Sequence, residues 1–447
     1  MKSIKRGNKL ITMMLFIFLV GMGLLIYKIQ SEASFYISRS GVRNLGYIYD
    51  CNGEVLFDDN AESGSYESGH FKDVGNFIGD ASGQMTNTLV AKNMEKLSNY
   101  SFTSGIQNKG GKAAIYSTLD HSANEKVYTA FGGKNGCAIA YNYKTGEIYV
   151  CVSRPSVDPL KGYENLEEGS LLCKAFYKTV PGSMQKISTT IAAVESMGTD
   201  ELESKSYSCS GSYTNKTGGK INCHNSYGHG TQGIYEGFAN SCNPFFAQLV
   251  EDNAFRLDDI IKTYRNMGYA VNGDKESRFS IDGIMCQKAS TDLEDKNDFN
   301  TQWGCMGQGT TMVSPCQMMM WQSAIVNETG EMTMPYLIDK VTNVRGRITE
   351  KAKTEYSDRL FSVTAAKEVK DIMLSNGENY SGKIPGFTVG VKSGTAQVKN
   401  GAEENSLLTG FDTDPDHPVA FCILIENRTS GEVSTDQIAT VLLSSIK

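Results

Sequence analysis

Histidine is scarce in this chain, with five in 447 residues. No clear Ser-His-Asp arrangement can be drawn from so few, so a nucleophilic serine must find another base. A basic face is also missing. Forty-three Lys and Arg stand against 50 Asp and Glu, a formal net charge of -7 with both signs interspersed throughout. Nothing there attracts nucleic acid, and no nucleic-acid partner is expected. No internal repeat is visible, so a chain of this length is expected to hold one large domain with its own core and a smaller part.

What the chain does contain begins at its N-terminus. Lys2, Lys5, Arg6 and Lys9 precede an apolar run from Leu10 to Tyr27, 18 residues without a charge, just long enough to cross a bilayer as a helix. Positive charge upstream predicts residues 1–9 in the cytoplasm, 10–27 as an uncleaved anchor and the rest outside. Ser31-Glu32-Ala33 resembles a small-x-small cleavage site, so a cleaved signal is the alternative, and it too exports the remainder. Eleven cysteines are many for an exported chain, and the odd number leaves at least one unpaired. Cys209 and Cys223 bracket a polar loop and suggest a disulfide. Cys137 and Cys151 could face each other across a hairpin, or serve as small buried apolar residues. Cys209, Cys223, His224 and His229 do not match the tight paired-ligand spacing of structural zinc sites, and no metal or cofactor is expected.

Gly46 to Asp59 reads as a hairpin turning at Asn52-Gly53, and Asp59 to about Gly111 as a weakly periodic, polar pedestal or linker. Cys137 to Ser153 alternates on both sides of Lys144-Thr145-Gly146, the pattern of two antiparallel strands and a tight turn. Pro181-Gly182-Ser183 ends a loop before the helix-like run Ile187 to Met197, with Ser183 at the helix start, where free N-H groups favour developing negative charge. Farther on, 387–391 leading into Lys392, then 406–411, then 419–426, predict three antiparallel strands, closed by a helix over 436–446.

Three short elements carry the chemistry. Ser183-Met184-Gln185-Lys186 puts a lysine one helical turn after a serine, on the same face; Ser241-Cys242-Asn243 and Lys392-Ser393-Gly394-Thr395 follow 58 and a further 151 residues on. A lysine kept neutral by burial or neighbouring cations can take the serine proton during attack. Each pattern recurs in Ser444-Ser445-Ile446-Lys447, Ser122-Ala123-Asn124, Lys144-Thr145-Gly146 and Lys216-Thr217-Gly218. Two of these lie at a hairpin tip or in a polar loop, and the 444–447 match in a frayed terminus. A carboxylate-binding lysine has to project from a sheet into a cleft.

In context, Pro181 to Lys186, Ala239-Asn240-Ser241-Cys242-Asn243-Pro244-Phe245-Phe246 and Gly390 to Gln397 resemble the penicillin-binding transpeptidases. So do Thr145-Gly146-Glu147-Ile148, Arg154-Pro155-Ser156-Val157-Asp158-Pro159, Gly307-Gln308-Gly309 and Val313-Ser314-Pro315, with Tyr49-Asp50-Cys51-Asn52-Gly53-Glu54 as in class B members. The resemblance runs from about Gly46 onward. It implies an α+β fold: a central antiparallel sheet flanked by helices, an all-helical subdomain, a small pedestal over 28–120 and a transpeptidase domain over 121–447. Carried over, it implies that Ser183 attacks the carbonyl between two D-alanines of a peptidoglycan stem peptide while Lys186 accepts its proton. Ser241 would relay a proton to the leaving amine, and Asn243 would hold the substrate amide and Lys186. The substrate-binding run Lys392, Ser393, Gly394 and Thr395 would bind the terminal carboxylate through Lys392 and the two hydroxyls, or tune Ser241, and the backbone N-H groups of Ser183 and Thr395 would form the oxyanion hole.

The same serine would be acylated by β-lactams. Ser393 stands where many members have threonine, which keeps the hydroxyl. A D,D-carboxypeptidase, a silent scaffold or a β-lactam sensor are the alternatives. A β-lactamase is disfavoured because no Glu-x-x-x-Asn element stands out between Ser183 and Ser241. Expected partners are stem peptides, β-lactams, the membrane and a polytopic peptidoglycan glycosyltransferase.

Overall fold

The computed structural model describes residues 2–39, 45–59, 72–108, 112–158, 162–398 and 401–446. Gly111, Pro159 and Lys447, which enter the expectations above, lie outside them. Helix α1 (Lys2–Ser31) contains the apolar run, and Gly7–Ser31 is long and apolar enough to cross a membrane, alone in this among the described residues. Its 25 residues rise about 37 Å, more than a hydrocarbon core of about 30 Å. Leu10, Phe16, Phe18 and Leu24 are all exposed.

Strands β1 (Tyr47–Tyr49) and β2 (Val55–Asp58) form the expected hairpin. Asp50 shapes its turn by accepting hydrogen bonds from the N-H groups of Asn52 and Glu54. Strand β3 (Ala114–Ser117) then pairs with β1 in parallel. Helix α2 (His121–Ala130) is capped by Asp120 and precedes the hairpin of β4 (Gly136–Asn142) and β5 (Ile148–Arg154). Helix α3 (Lys186–Met197) follows a 3-10 turn over Gly182–Gln185. The α-helix therefore starts at Lys186, and Ser183 sits in the tighter turn ahead of it.

The expected all-helical side interleaves helices with short ladders. Strands β6 (Tyr207–Cys209), β7 (Ser212–Thr214), β8 (Lys220–Asn222) and β9 (Gly230–Gln232) pair as β6–β9 and β7–β8. This polar, glycine-rich stretch has no apolar stripe to sustain a helix. Helix α4 (Asn243–Glu251) follows. Helix α5 (Pro315–Val326) starts at a Ser314 cap with proline in its first turn and is buried along every residue, as a helix apolar all round must be.

Strands β10 (Ile338–Thr342) and β11 (Ile348–Lys351) return to the N-terminal hairpin. They complete a five-stranded sheet of order β11–β10–β3–β1–β2. The strands that follow α1 thus share a sheet with residues nearly 300 positions later in the chain, through the antiparallel register Val341↔Ile115. After α6 (Val363–Gly377) come β12 (Val389–Val398), β13 (Glu403–Asp412) and β14 (Val419–Ile425), closed by α7 (Thr435–Ser445). Together they form a second sheet, β12–β13–β14–β4–β5, antiparallel throughout. Helix α5 covers one face, and α2 and α7 cover the other. Both faces being covered, β14 is buried at all seven residues. Strand β12 is left at an edge, free to wall a cleft.

The chance motif matches fall elsewhere. Lys144-Thr145-Gly146 joins β4 to β5, Lys216-Thr217-Gly218 lies between β7 and β8, Ser122 to Asn124 sits in α2, and Ser444 and Ser445 lie in α7. Every cysteine is a free thiol, so the Cys209–Cys223 disulfide is not formed. Cys137 pairs with Ser153 and Cys151 with Ile139, which makes those two cysteines diagonal neighbours. The Cys151 sulfur lies 3.6 Å from that of Cys173 instead.

Candidate active site

Backbone contacts fix the 3-10 turn before any side chain acts. Gly182 adopts φ +54 and donates its N-H to the Gly307 carbonyl at 2.9 Å. A Cβ at Gly182 would lie 2.6 Å from the Thr395 carbonyl oxygen, and one at Gly394 would lie 2.7 Å from that of Pro181. Only glycines let the turn and the edge of β12 come this close. Between Pro181 and Val194, Ser183 alone keeps partial exposure. The turn presents one hydroxyl to solvent from an otherwise buried segment.

The first turn of α3 places Lys186 beneath it. The Lys186 side chain is fully buried, with Nζ 3.0 Å from Ser183 Oγ, 2.7 Å from the Ser241 carbonyl oxygen, 3.2 Å from Ser241 Oγ and 2.8 Å from Asn243 Oδ1. Ser241 adopts φ +50, a conformation costly for a residue with a Cβ. It turns the chain from the helix Ile234–Ala239 into α4, whose first residue is Asn243. Asn243 Nδ2 donates to the Asn222 carbonyl at 3.3 Å.

From the opposite wall, Lys392 projects off β12 with its side chain buried. Its Nζ lies 3.0 Å from Ser241 Oγ and 3.0 Å from the Ser393 carbonyl oxygen. One hydroxyl, that of Ser241, therefore lies within hydrogen-bond reach of two lysines. Ser393 is half-buried and Thr395 exposed, while Gly394 is buried against the turn.

Electrostatics favour amines over ammonium ions here. Burial, then the charge of Lys392, push Lys186 well below the ordinary lysine value, and burial lowers Lys392 to about 7. Among the described residues, the hydrogen-bond partners of the two Nζ atoms are hydroxyl, carbonyl and amide oxygens and none is a carboxylate. A neutral Lys186 amine has two N-H groups and one lone pair. The Ser241 carbonyl and Asn243 Oδ1 can only accept, so they take the two N-H groups and leave the lone pair for the Ser183 hydroxyl proton. The arrangement is chemically suited to activating a serine without histidine.

Of the eight sequence-predicted residues, Ser183, Lys186, Ser241, Asn243 and Lys392 are brought together by these contacts, and Ser393, Gly394 and Thr395 continue β12 beside the 3-10 turn, with Gly394 against Pro181. Supporting residues that the motifs did not single out include Gly182 and Phe246, whose ring centroid lies 5.4 Å from Lys186 Nζ, and Phe238, whose centroid lies 5.5 Å from Lys392 Nζ. Gln308 Nε2 donates to the Thr395 carbonyl at 3.4 Å, which gives the Gly307-Gln308-Gly309 element a buttressing place. The signal for the aromatic floor was present in Pro244-Phe245-Phe246, directly after Asn243.

Residues 136–444 match the model of the penicillin binding protein transpeptidase domain. The chain belongs to the penicillin-binding protein transpeptidase family. Among curated relatives, it is 26% identical over 330 residues to stage V sporulation protein D of Bacillus subtilis, covering 69% of this chain and 48% of that protein. It is 21% identical over 348 residues to the peptidoglycan D,D-transpeptidase MrdA of Acinetobacter baumannii, covering 71% and 51%. The chain thus matches about half the length of these relatives.

Solved structures agree on the fold. The D,D-transpeptidase domain of a peptidoglycan glycosyltransferase from Eggerthella lenta superposes with a TM-score of 0.72 at 21% identity, covering 90% of this chain and 97% of that one. The ceftriaxone acyl-enzyme of penicillin-binding protein A from M. tuberculosis superposes with a TM-score of 0.73 at 18% identity, covering 90% and 98%.

Proposed function

We propose that this chain is a serine D,D-transpeptidase that cross-links peptidoglycan stem peptides through an acyl-enzyme on Ser183. The buried Lys186 amine 3.0 Å from Ser183 Oγ is the observation that carries this reading. Ser183 Oγ attacks the carbonyl between two D-alanines as Lys186 takes its proton. The N-H groups of Ser183 and Thr395 receive the oxyanion. When the C-N bond breaks, Ser241 passes a proton to the departing D-alanine amine from the lysine pair it bridges. An amine from a neighbouring stem then attacks the ester, forms the new amide and releases Ser183. Asn243 orients the donor amide, and Lys392 with the Ser393 and Thr395 hydroxyls holds the terminal carboxylate. A β-lactam offers a strained amide with a similarly placed carboxylate and acylates the same serine.

In the cell membrane, α1 serves as a single-pass anchor with residues 1–9 cytoplasmic and the catalytic domain outside. Residues 28–120 form the membrane-proximal part and 121–447 the transpeptidase domain. A polytopic glycosyltransferase supplies the glycan strands whose stems are joined. The deciding assay gives purified protein a donor stem peptide and an acceptor amine. Formation of the cross-linked amide supports the proposal; hydrolysis alone, in the presence of acceptor, assigns a D,D-carboxypeptidase instead.

A further inference from the structure

Beside the cleft, four side chains from four separate segments converge without any role in the chemistry above. The ligand atoms of Cys209, Cys223, His229 and Cys242 all lie within 4.8 Å of one another. Cys209 ends β6, Cys223 follows β8, His229 precedes β9, and Cys242 sits between Ser241 and Asn243 as the N-cap of α4. The Cys223 sulfur is 3.4 Å from His229 Nδ1. Cys209 and Cys242 are buried, while the residues Cys223 and His229 are partly exposed, which leaves an entry path from solvent on the His229 side. A tetrahedral zinc site, with Zn-S of about 2.3 Å and Zn-N of about 2.0 Å, separates its donor atoms by roughly 3.5–3.8 Å. The observed cluster needs only a small contraction to reach that geometry.

The surrounding backbone is built for close turns. The His229 N-H donates to the Cys209 carbonyl at 3.0 Å and the Cys223 N-H to the Gly211 carbonyl at 2.9 Å. A Cβ at Gly228 would lie 2.1 Å from the Cys209 carbonyl oxygen, and one at Gly211 would lie 2.1 Å from that of Ser226. The other close sulfur pair already described, Cys151 and Cys173, is wholly buried in the apolar core. Three thiolates and an imidazole favour zinc over the hard cations.

We propose that Cys209, Cys223, His229 and Cys242 bind one zinc ion that fixes the wall of the cleft carrying Ser241 and Asn243. Binding converts three thiols to thiolates, releases their three protons to solvent and takes a lone pair from neutral His229. Four protein ligands close the tetrahedron, so the ion is structural and holds no water for catalysis. Cys242 is covalently between the two cleft residues, and a metal there over-determines the strained Ser241 backbone. The sequence concealed this set because its third thiolate lies inside a catalytic motif and the ligand spacings are long.

Metal content and cobalt spectroscopy on the full chain, purified in detergent with thiols reduced, test the proposal independently of catalysis. The expected result is about one zinc per chain by elemental analysis. Cobalt(II) added to metal-free protein should give the intense visible bands of a tetrahedral thiolate site. Cys209→Ser and His229→Ala should weaken zinc affinity by roughly tenfold or more, while His229→Cys and His224→Ala retain the metal. Ser183→Ala should also retain it, although it loses acylation on the reading above. Wild-type protein with reduced thiols that shows no cobalt-thiolate bands overturns the site. So does a Cys209–Cys223 disulfide in the protein as isolated, or loss of metal in His224→Ala but not in His229→Ala. A chain that holds zinc yet takes no β-lactam overturns the catalytic reading and leaves the metal site standing.

Discussion

At the scale of single residues, burial disfavours the charged form of two lysines in the site. Burial and the neighbouring Lys392 hold Lys186 well below the usual lysine range, so its basic form is present before the ordinary value is reached. Lys392 is lowered to about 7, and it is charged below that pH. The second-order rate constant for β-lactam acylation of the free enzyme is therefore predicted to rise as Lys186 loses its proton and to fall as Lys392 loses its own, near about pH 7. Stopped-flow acylation across pH checks this, and Lys392→Gln should abolish the falling limb. Lys186→Met should cost roughly 100- to 10,000-fold in the same rate, the range for losing a general base. A lowered lysine pKa also affects stability. Between its folded value and the ordinary lysine value the unfolded state binds more protons, so Lys392 destabilises the fold fully below about pH 7 and less as pH rises beyond it. Lys392→Met should accordingly be more thermostable than wild type at pH 6, with the difference shrinking toward pH 10, as differential scanning calorimetry would read.

Elements explain why these residues meet and why some of the arrangement was legible in advance. The three motifs are local strings, and the antiparallel strands around Gly390, Leu407 and Ala420 announce themselves by short apolar runs. Contacts between those strings are not local. Gly182 looks like any loop glycine until β12 is seen 2.6 Å from where its Cβ would stand. Gly182→Ala combines that clash with a φ of +54. It should slow acylation by at least about tenfold, since displacing reacting groups by a fraction of a turn is costly, while leaving circular dichroism unchanged. Helix α5 was invisible to periodicity for the opposite reason: being buried on every side, it has no polar face to set a rhythm. A hairpin register that pairs Ile139 rather than Cys137 with Cys151 cannot be read from spacing alone, because a shift of two residues keeps the same face.

For the whole molecule, the least legible feature is the sheet that joins the hairpin after α1 to β10 and β11. Its β1–β3 pairing is parallel and crosses more than 60 residues, and neither strand carries a marker for such a partner. The consequence is mechanical: the strands that follow α1 are tied by backbone ladder bonds to strands after residue 337. Family and fold agree, and the proposed chemistry rests on the bond formed at Ser183. Intact-mass analysis after incubation with a penicillin, followed by peptide mapping, measures that bond directly. One drug mass added per chain is expected, carried on the peptide containing Ser183 and absent from Ser183→Ala. An unmodified wild-type chain, or equal modification of Ser183→Ala, would contradict it.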